Sequence, residues 1–392
     1  MATSHKKIIP VAVFDISSSS IGGAHVLVPS HFEKNDKVSV LASLRNISEP
    51  KEDLNIEKFV NDSILNLENT ISTIKKADNH HPKHIQVLLA SPWFVSQTRT
   101  ISYNKTTDFL CTEKLIDSLI DKEIEYVMNH DMERFGSMGG EGLIIEKQIS
   151  QIKLNGYATA KPFGKKTQSV ELFLVVTVSP KVIIDRIKEV FLKNYGTTVV
   201  KFTTSPYATY IVSRDILKLP SELLLVDVGE EVTDIACIKN DLFLYQHSFP
   251  VGTHQLYRSL VGNGATTLTE ASAVIESFRL AKLSAIMTSN VQKSLDSFGS
   301  MWGRSFQELI EGGQNTLKLP ENTYITSDYR FGDFFSKLLK EDLFFQHTTG
   351  SITPNVLPIS YEMLSLHSSS LDKDHLDETL IIGSLFVSLL LR

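Results

Sequence analysis

Two aspartates, a glycine and a threonine lie close together within residues 223–252, LLLVDVGEEVTDIACIKNDLFLYQHSFPVG. Asp227 and Asp234 flank Gly229 and Thr233. A glycine in a turn lets backbone N–H groups approach a phosphate, and carboxylates orient the waters of Mg²⁺. The threonine adds a hydroxyl group. This stretch predicts a phosphate–magnesium turn, and the alternative interpretation is a plain β-meander with an acidic turn.

A similar stretch begins the chain. Residues 8–15 form an apolar run that ends in Asp15, and four serines at 17–20 follow, then Gly22 and Gly23. This second apolar run, which ends in an aspartate before a turn, is the counterpart of the first.

The elements that must position these residues are readable from hydrophobic patterning. The apolar run 223–226 predicts a buried strand, and 233–238 and 242–247 predict two more strands joined by a tight turn. Residues 24–28 predict the return strand of the first hairpin. Elsewhere the pattern predicts helices at 54–76, 112–129 (with Thr112 as N-cap), 181–195 and 377–391, and strands at 85–90, 95–103, 144–154 and 170–178.

Composition excludes several classes of function. The 392 residues are enough for two or more domains with their own cores, and the net charge of −6 argues against a nucleic-acid surface. Only Cys111 and Cys237 are present, so a disulfide framework and a cysteine zinc site are excluded. A run of ~20 apolar residues, as a membrane-spanning helix needs, is absent from the sequence. We therefore expect a cytoplasmic protein.

Two strand–Asp–turn–strand hairpins far apart in one chain resemble the actin-like ATPase superfamily, in which the two turns hold a nucleotide from both sides of a cleft. DVGEEVTDIA resembles the D-I-G-G-G-T-T-D-I-A turn of the cell-division family FtsA, and Gly252 lies in a P-V-G-T segment that resembles its P-x-G-G turn. The pilus family PilM is the second resemblance. Ser327, at the end of the strand 323–327, matches the place of the family's adenosine motif. The resemblance implies that Asp15, Ser18 and Gly22 contact the nucleotide, and that Asp15, Asp227 and Asp234 hold its magnesium ion.

The resemblance implies an α/β, two-lobed actin-like (ribonuclease H-like) fold with an inserted SHS2-type subdomain. Its expected division is a first lobe at 1–82, the inserted subdomain at 83–168 and the second lobe at 169–252. A small helical subdomain is expected at 253–316, and 317–392 would end the second lobe and return a helix to the first.

All three nucleotide motifs depart from the family's pattern. Ser17 and Ser20 replace a glycine and a lysine, Glu230 and Glu231 replace two glycines, and Ser327-Asp328 replaces Gly-Gly. Both glutamates are expected to project into the phosphate site, where repulsion at ~4 Å costs about 4 kcal/mol at an effective dielectric of ~20. We expect binding of ATP and Mg²⁺ to be weak or lost. The alternative is a divergent site that still binds ATP through the surviving aspartates.

Three functions follow from the resemblance. The first is an FtsA-like scaffold that recruits division proteins through the inserted subdomain and self-associates into filaments. The second is a PilM-like pilus assembly protein that binds the cytoplasmic tail of a membrane protein. The third is an active ATPase or kinase, against which the altered turns argue. The expected partners are therefore cytoplasmic division or pilus proteins, with the membrane reached only through a partner.

Overall fold

The structure is a computed structural model that describes residues 7–33, 35–48, 55–82, 84–130, 141–196, 199–261, 267–311, 319–328, 330–340, 355–370 and 377–391. Across these ranges the chain forms three β-sheets and ten helices. None of the helices in these ranges is long and apolar enough to cross a membrane. The predicted α/β class is confirmed.

The first sheet has the strand order β15-β3-β2-β1-β4-β9. Its strands are β1 (Ile8–Ile16), β2 (Ser20–Pro29), β3 (Val38–Ile47), β4 (His84–Leu89), β9 (Val199–Thr204) and β15 (Ser368–Ser370). Alternate residues of β1 enter different cores, because successive side chains of a strand point to opposite faces. Val11 and Val13 lie in a core that the first sheet, which belongs to the first lobe, shares with the second sheet, which belongs to the second lobe. Phe14 packs with helices α1 (Ile56–Ala77) and α3 (Lys181–Tyr195).

The second sheet has the order β12-β11-β10-β13-β14. Its strands are β10 (Leu223–Val228), β11 (Thr233–Lys239), β12 (Leu242–Phe249), β13 (Asn322–Ser327) and β14 (Asn355–Pro358). Leu224 and Val226 face a core with helices α5 (Thr253–Val261), α6 (Leu268–Arg279), α7 (Ala285–Glu311) and α8 (Gly332–Lys340). Leu223 and Leu225 face the opposite core, which the two lobes share.

That shared core is filled by two helices, α4 (Ser205–Asp215) and α10 (Glu378–Leu390). It joins residues of β1–β3 to residues of β10–β12, and the short helix α9 (Tyr361–Ser365) packs beside it. Because apolar burial is the main favourable term in folding, this continuous core ties the first and second sheets into one body.

The third sheet has the order β5-β8-β6-β7 and a core of its own. It comprises β5 (Val95–Leu110), β6 (Gly142–Leu154), β7 (Tyr157–Ala158) and β8 (Lys166–Pro180), and it is covered by α2 (Glu113–His130). The block is inserted between β4 and α3. That the block is of the SHS2 type stays a prediction.

The sheets divide the chain at residues other than those predicted. β4 falls in the range predicted for the insert, 83–168, but it pairs in parallel with β1 in the first sheet. β8 continues the third sheet to Pro180, and β9, within the range 169–252 predicted for the second lobe, pairs with β4. The pattern change after Pro82 marks the end of a loop before β4, because local patterning does not report which sheet a strand joins.

Candidate functional site

The two predicted turns face one another between the first and second sheets. Asp15 lies opposite Gly22 in the first hairpin, and Asp227 lies opposite Asp234 in the second. The turns that follow Asp15 and Asp227 are in direct contact.

Two hydrogen bonds join these turns. The Ser17 hydroxyl donates to Oε2 of Glu230 at 2.9 Å. The backbone N–H of Glu231 donates to Oγ of Ser18 at 3.1 Å. We call these two bonds the turn–turn contact. The chain's own residues therefore fill the space between the turns, which the resemblance predicts as the place of a nucleotide's phosphates.

An arginine neutralises the first aspartate. Arg45 of β3 donates from Nη2 to Oδ2 of Asp15 at 2.7 Å and from Nη1 to Oγ of Ser20 at 2.7 Å. It also pairs with both carboxylate oxygens of Asp377, the N-cap of α10. Gly22 makes room for this guanidinium, since a Cβ there would lie 2.8 Å from Nη2. The carboxylate of Asp15, which is predicted to bind magnesium, is thus already paired with the guanidinium group of Arg45.

The other two aspartates are buried with hydroxyl partners. Thr326 donates to Oδ1 of Asp227 at 2.6 Å, and Ser91 donates to Asp234 from Oγ at 2.6 Å and from its backbone N–H at 3.1 Å. Burial raises the pKa of Asp227 to about 7 and that of Asp234 to about 6. The negative charge of Asp15 adds to the rise in the pKa of Asp227, so the carboxyl groups of the two turns interact electrostatically.

These contacts leave little room for a magnesium–nucleotide complex. Both oxygens of Asp15 and both of Asp234 accept hydrogen bonds from the protein. Within the described ranges, no group of three or more histidine, cysteine or acidic side chains could hold a metal ion. The cavity beside Asp227 and Asp234 has about 10 Å³, room for a single water. In this arrangement the residues around the two turns do not fit a magnesium–nucleotide complex.

Glu231 does not project into the phosphate site, so that part of the prediction is wrong. Its carboxylate turns to α5, where Arg258 donates at 2.5 and 2.9 Å and Nδ1 of His254 lies 3.0 Å from Oε1. These partners lower the pKa of Glu231, although burial acts in the opposite direction. Of the two glutamates, it is Glu230 whose carboxylate lies between the turns.

The remaining predicted residues lie around the second turn. The Thr233 hydroxyl donates to the Val251 carbonyl at 2.7 Å and accepts from Trp302 Nε1 at 3.0 Å, inside the second lobe. Gly252 allows close approach, since a Cβ there would lie 2.4 Å from the Glu230 carbonyl. Ser327 ends β13 beside Val228.

Sequence reasoning missed the residues that satisfy these carboxylates. Arg45 comes from β3, Asp377 from the start of α10, Ser91 from the end of β4 and Ser205 from the start of α4. The available signal was weak: Arg45 is the one cation of strand β3, and Asp377 precedes the last helix. Their pairing needs the three-dimensional fold.

No protein-family model matches the sequence, and none of the curated proteins matches it. Among solved structures, the chain is similar to one described as a PilM–PilN type IV pilus biogenesis complex, with 15% identity over 97% of this chain and 96% of that one and a TM-score of 0.58. A second similarity is to the ethanolamine utilization protein EutJ from Carboxydothermus hydrogenoformans, with 13% identity over 96% of this chain and 88% of that one and a TM-score of 0.44.

The chain therefore has an actin-like ATPase fold, as predicted. At 15% identity the first similarity bears on the fold alone. The likeness to FtsA stays a prediction.

Proposed function

We propose that this chain is a protein-binding scaffold whose lobes are held together by its own side chains and not by a nucleotide. The turn–turn contact is the observation that supports this proposal. Ser17 and Ser18 of the first lobe bind Glu230 and Glu231 of the second, in the place where the superfamily's turns grip phosphates. A scaffold of this kind stays closed without ATP.

Charge in the site works against a polyphosphate. A phosphate between the turns would displace the Ser17 hydroxyl from Glu230 and would lie close to that carboxylate, and like charges ~4 Å apart repel by about 4 kcal/mol at an effective dielectric of ~20. Arg45 offers little compensation, because Asp15 and Asp377 already engage it. Binding of ATP and Mg²⁺ is therefore proposed to be weak or lost, and catalysis is not part of the proposed role.

The proposed setting is type IV pilus assembly. Its support is the similarity in fold, along nearly the full length of both chains, to a structure described as a PilM–PilN complex. By that analogy, the partner is the cytoplasmic tail of a pilus membrane protein, and the scaffold works at the inner face of the membrane. The inserted third sheet, with its separate core, is the part proposed to carry a partner surface.

The second candidate is an FtsA-like division scaffold that forms filaments. The observation in its favour is the sequence DVGEEVTDIA of the second turn, together with the order of segments around the insert. Removal of the gene from its host, with the unmodified gene returned as control, separates the two. Loss of surface pili with normal septation is the result expected. Long undivided cells would favour the second candidate, and cells with normal pili and normal division would contradict both.

A further inference from the structure

The end of the third sheet that carries the β6–β7 turn is both basic and apolar. It is built from residues 104–110 and 155–168, and we call it the tip. Three large apolar side chains are exposed there: Tyr157 is 80% exposed, Leu110 53% and Phe163 47%. Single exposed apolar residues are common, but three on one small surface indicate an interaction site.

Positive charge surrounds these side chains. The tip contains four lysines, at 105, 161, 165 and 166, and a single carboxylate, Asp108. Within the described part of the chain, Lys161, Lys165 and Lys166 form no ion pair, and all three are exposed. The chain as a whole carries a charge of −6, and carboxylates resume on α2, where Glu113, Asp117, Asp121 and Glu125 are exposed. The excess of positive charge is therefore local to the tip.

Hydrogen bonds hold the tip in one conformation. Asn155, at φ +50°, accepts at Oδ1 from the Thr167 hydroxyl at 2.9 Å and from the backbone N–H groups of Gln168 and Ser169 at 3.0 and 3.1 Å. The loop that carries Phe163 is tied to the end of β5, since Gly164 N–H donates to the Cys111 carbonyl at 2.8 Å. The exposed apolar side chains thus lie on loops that are held by hydrogen bonds.

The tip lies at the end of the third sheet opposite to its join with the first lobe. β8 runs from Lys166 at the tip to Pro180 at the base, and its fifteen residues extend roughly 45 Å at ~3.3 Å per residue. The base is where the block meets the first lobe, through Glu146 and the backbone of Thr204. A planar surface could therefore approach the tip along the long axis of the sheet.

We propose that the tip binds directly to an anionic lipid bilayer. Lysines attract acidic headgroups, and tyrosine, phenylalanine and leucine side chains enter the headgroup–acyl boundary. Exposed apolar side chains among lysines favour this occupant over an acidic peptide, which would need a groove or a regular strand edge. At the tip β7 has only two residues, and the pairing of β5 is irregular between Asn104 and Phe109. This direct contact differs from the partner-mediated recruitment of the preceding proposal and does not depend on it.

Sedimentation with lipid vesicles tests the charge requirement. We expect the full chain to bind phosphatidylcholine vesicles that contain phosphatidylglycerol, to ignore phosphatidylcholine alone, and to dissociate as salt rises. The variant Lys161→Glu/Lys165→Glu/Lys166→Glu should lose affinity by ~100-fold or more, since each lysine near the surface contributes about fivefold. Lys58→Glu/Lys282→Glu/Lys293→Glu makes the same change in net charge at exposed positions elsewhere and should bind like the unmodified protein.

A fluorescent reporter tests insertion. Both native tryptophans, Trp93 and Trp302, are 1% exposed, so a tryptophan placed at the tip dominates any change on lipid binding. Tyr157→Trp should show a blue shift with the anionic vesicles. Ile286→Trp, at a position 78% exposed on α7, should show none.

Three results would overturn the proposal: no binding to the anionic vesicles, equal binding by the two triple-lysine variants, or an unchanged spectrum for Tyr157→Trp on bound vesicles. Binding of polyglutamate to the tip without any binding to vesicles would assign this surface to an acidic protein partner, and would also overturn it.

Discussion

The aspartates predicted to hold magnesium have partners within the chain itself, Arg45 for Asp15 and hydroxyl groups for the other two. Asp15, Asp227 and Asp234 were identified from the sequence because each lies at a strand–turn junction, and the structure places them around the same turns. The position of Arg45 beside Asp15 was not predictable, because Arg45 also pairs with Asp377, which is 332 residues away in the chain. Local patterning predicts where a carboxylate lies but not which distant cation neutralises it.

Glu231 is expected to stabilise the second lobe. Its carboxylate is 10% exposed and holds Arg258 and the buried His254 on α5. We predict that Glu231→Ala lowers the free energy of unfolding by about 2–3 kcal/mol, because it removes a largely buried carboxylate that both Arg258 and His254 contact. Urea unfolding followed by circular dichroism measures this change.

The matched control for that variant is Glu276→Ala. It removes an exposed ion pair with Arg279, one helical turn away on α6, and should cost much less than Glu231→Ala. Equal losses for the two variants would show that the contact of Glu231 with α5 is no stronger than a surface pair.

At the scale of elements, hydrophobic periodicity predicted most helices and strands, including α1, α3 and α10. It failed where burial is slight or pairing is distant. The short strands β14 and β15 pair with β13 and β3, and β15 lies about 330 residues from its partner. On α2, Ile116 and Ile120 fill the core, whereas Leu115 and Leu119 are only half-buried.

The join between the third sheet and the first depends on one buried carboxyl group. Glu146, at an irregularity in the β6–β8 pairing, accepts hydrogen bonds from the Thr204 backbone N–H at 2.9 Å and from the hydroxyls of Thr203, Thr204 and Thr177. Burial raises its pKa from 4.5 to about 7. The join therefore contains a group that titrates near neutral pH.

This raised pKa predicts a direction for stability against pH. Between pH 4.5 and about 7 the folded state binds the proton of Glu146 more tightly than the unfolded chain does, so the free energy of unfolding should fall as pH rises through this window. The contribution is on the order of 3 kcal/mol. Glu146→Gln should flatten this slope, as measured by urea midpoints from pH 5 to 8. Asp227 and Glu378, whose pKa values also rise to about 7, and Asp234, whose pKa rises to about 6, retain part of it.

Glu171→Gln on the neighbouring strand β8 is the control, since its side chain is 37% exposed and pairs with Lys153. It should leave the slope as in the unmodified protein. An unchanged slope in Glu146→Gln would contradict the role given to this carboxyl group.

On the scale of the whole molecule, the two lobes behave as one closed body. They share the core around α4 and α10, and Ser91 of the first lobe binds Asp234 of the second. The turn–turn contact adds the hydrogen bonds Ser17–Glu230 and Ser18–Glu231. A nucleotide would have to break the turn–turn contact before it could bind between the turns. For this reason the proposed role does not depend on a nucleotide.

Calorimetric titration with Mg-ATP tests this central claim most directly. We predict no saturable binding by the unmodified protein at millimolar ATP. Glu230→Gly should gain weak affinity, because it removes charge and bulk between the turns and frees backbone N–H groups. Glu231→Gly should gain none, because that carboxylate faces α5. Micromolar binding of Mg-ATP by the unmodified protein would contradict the account.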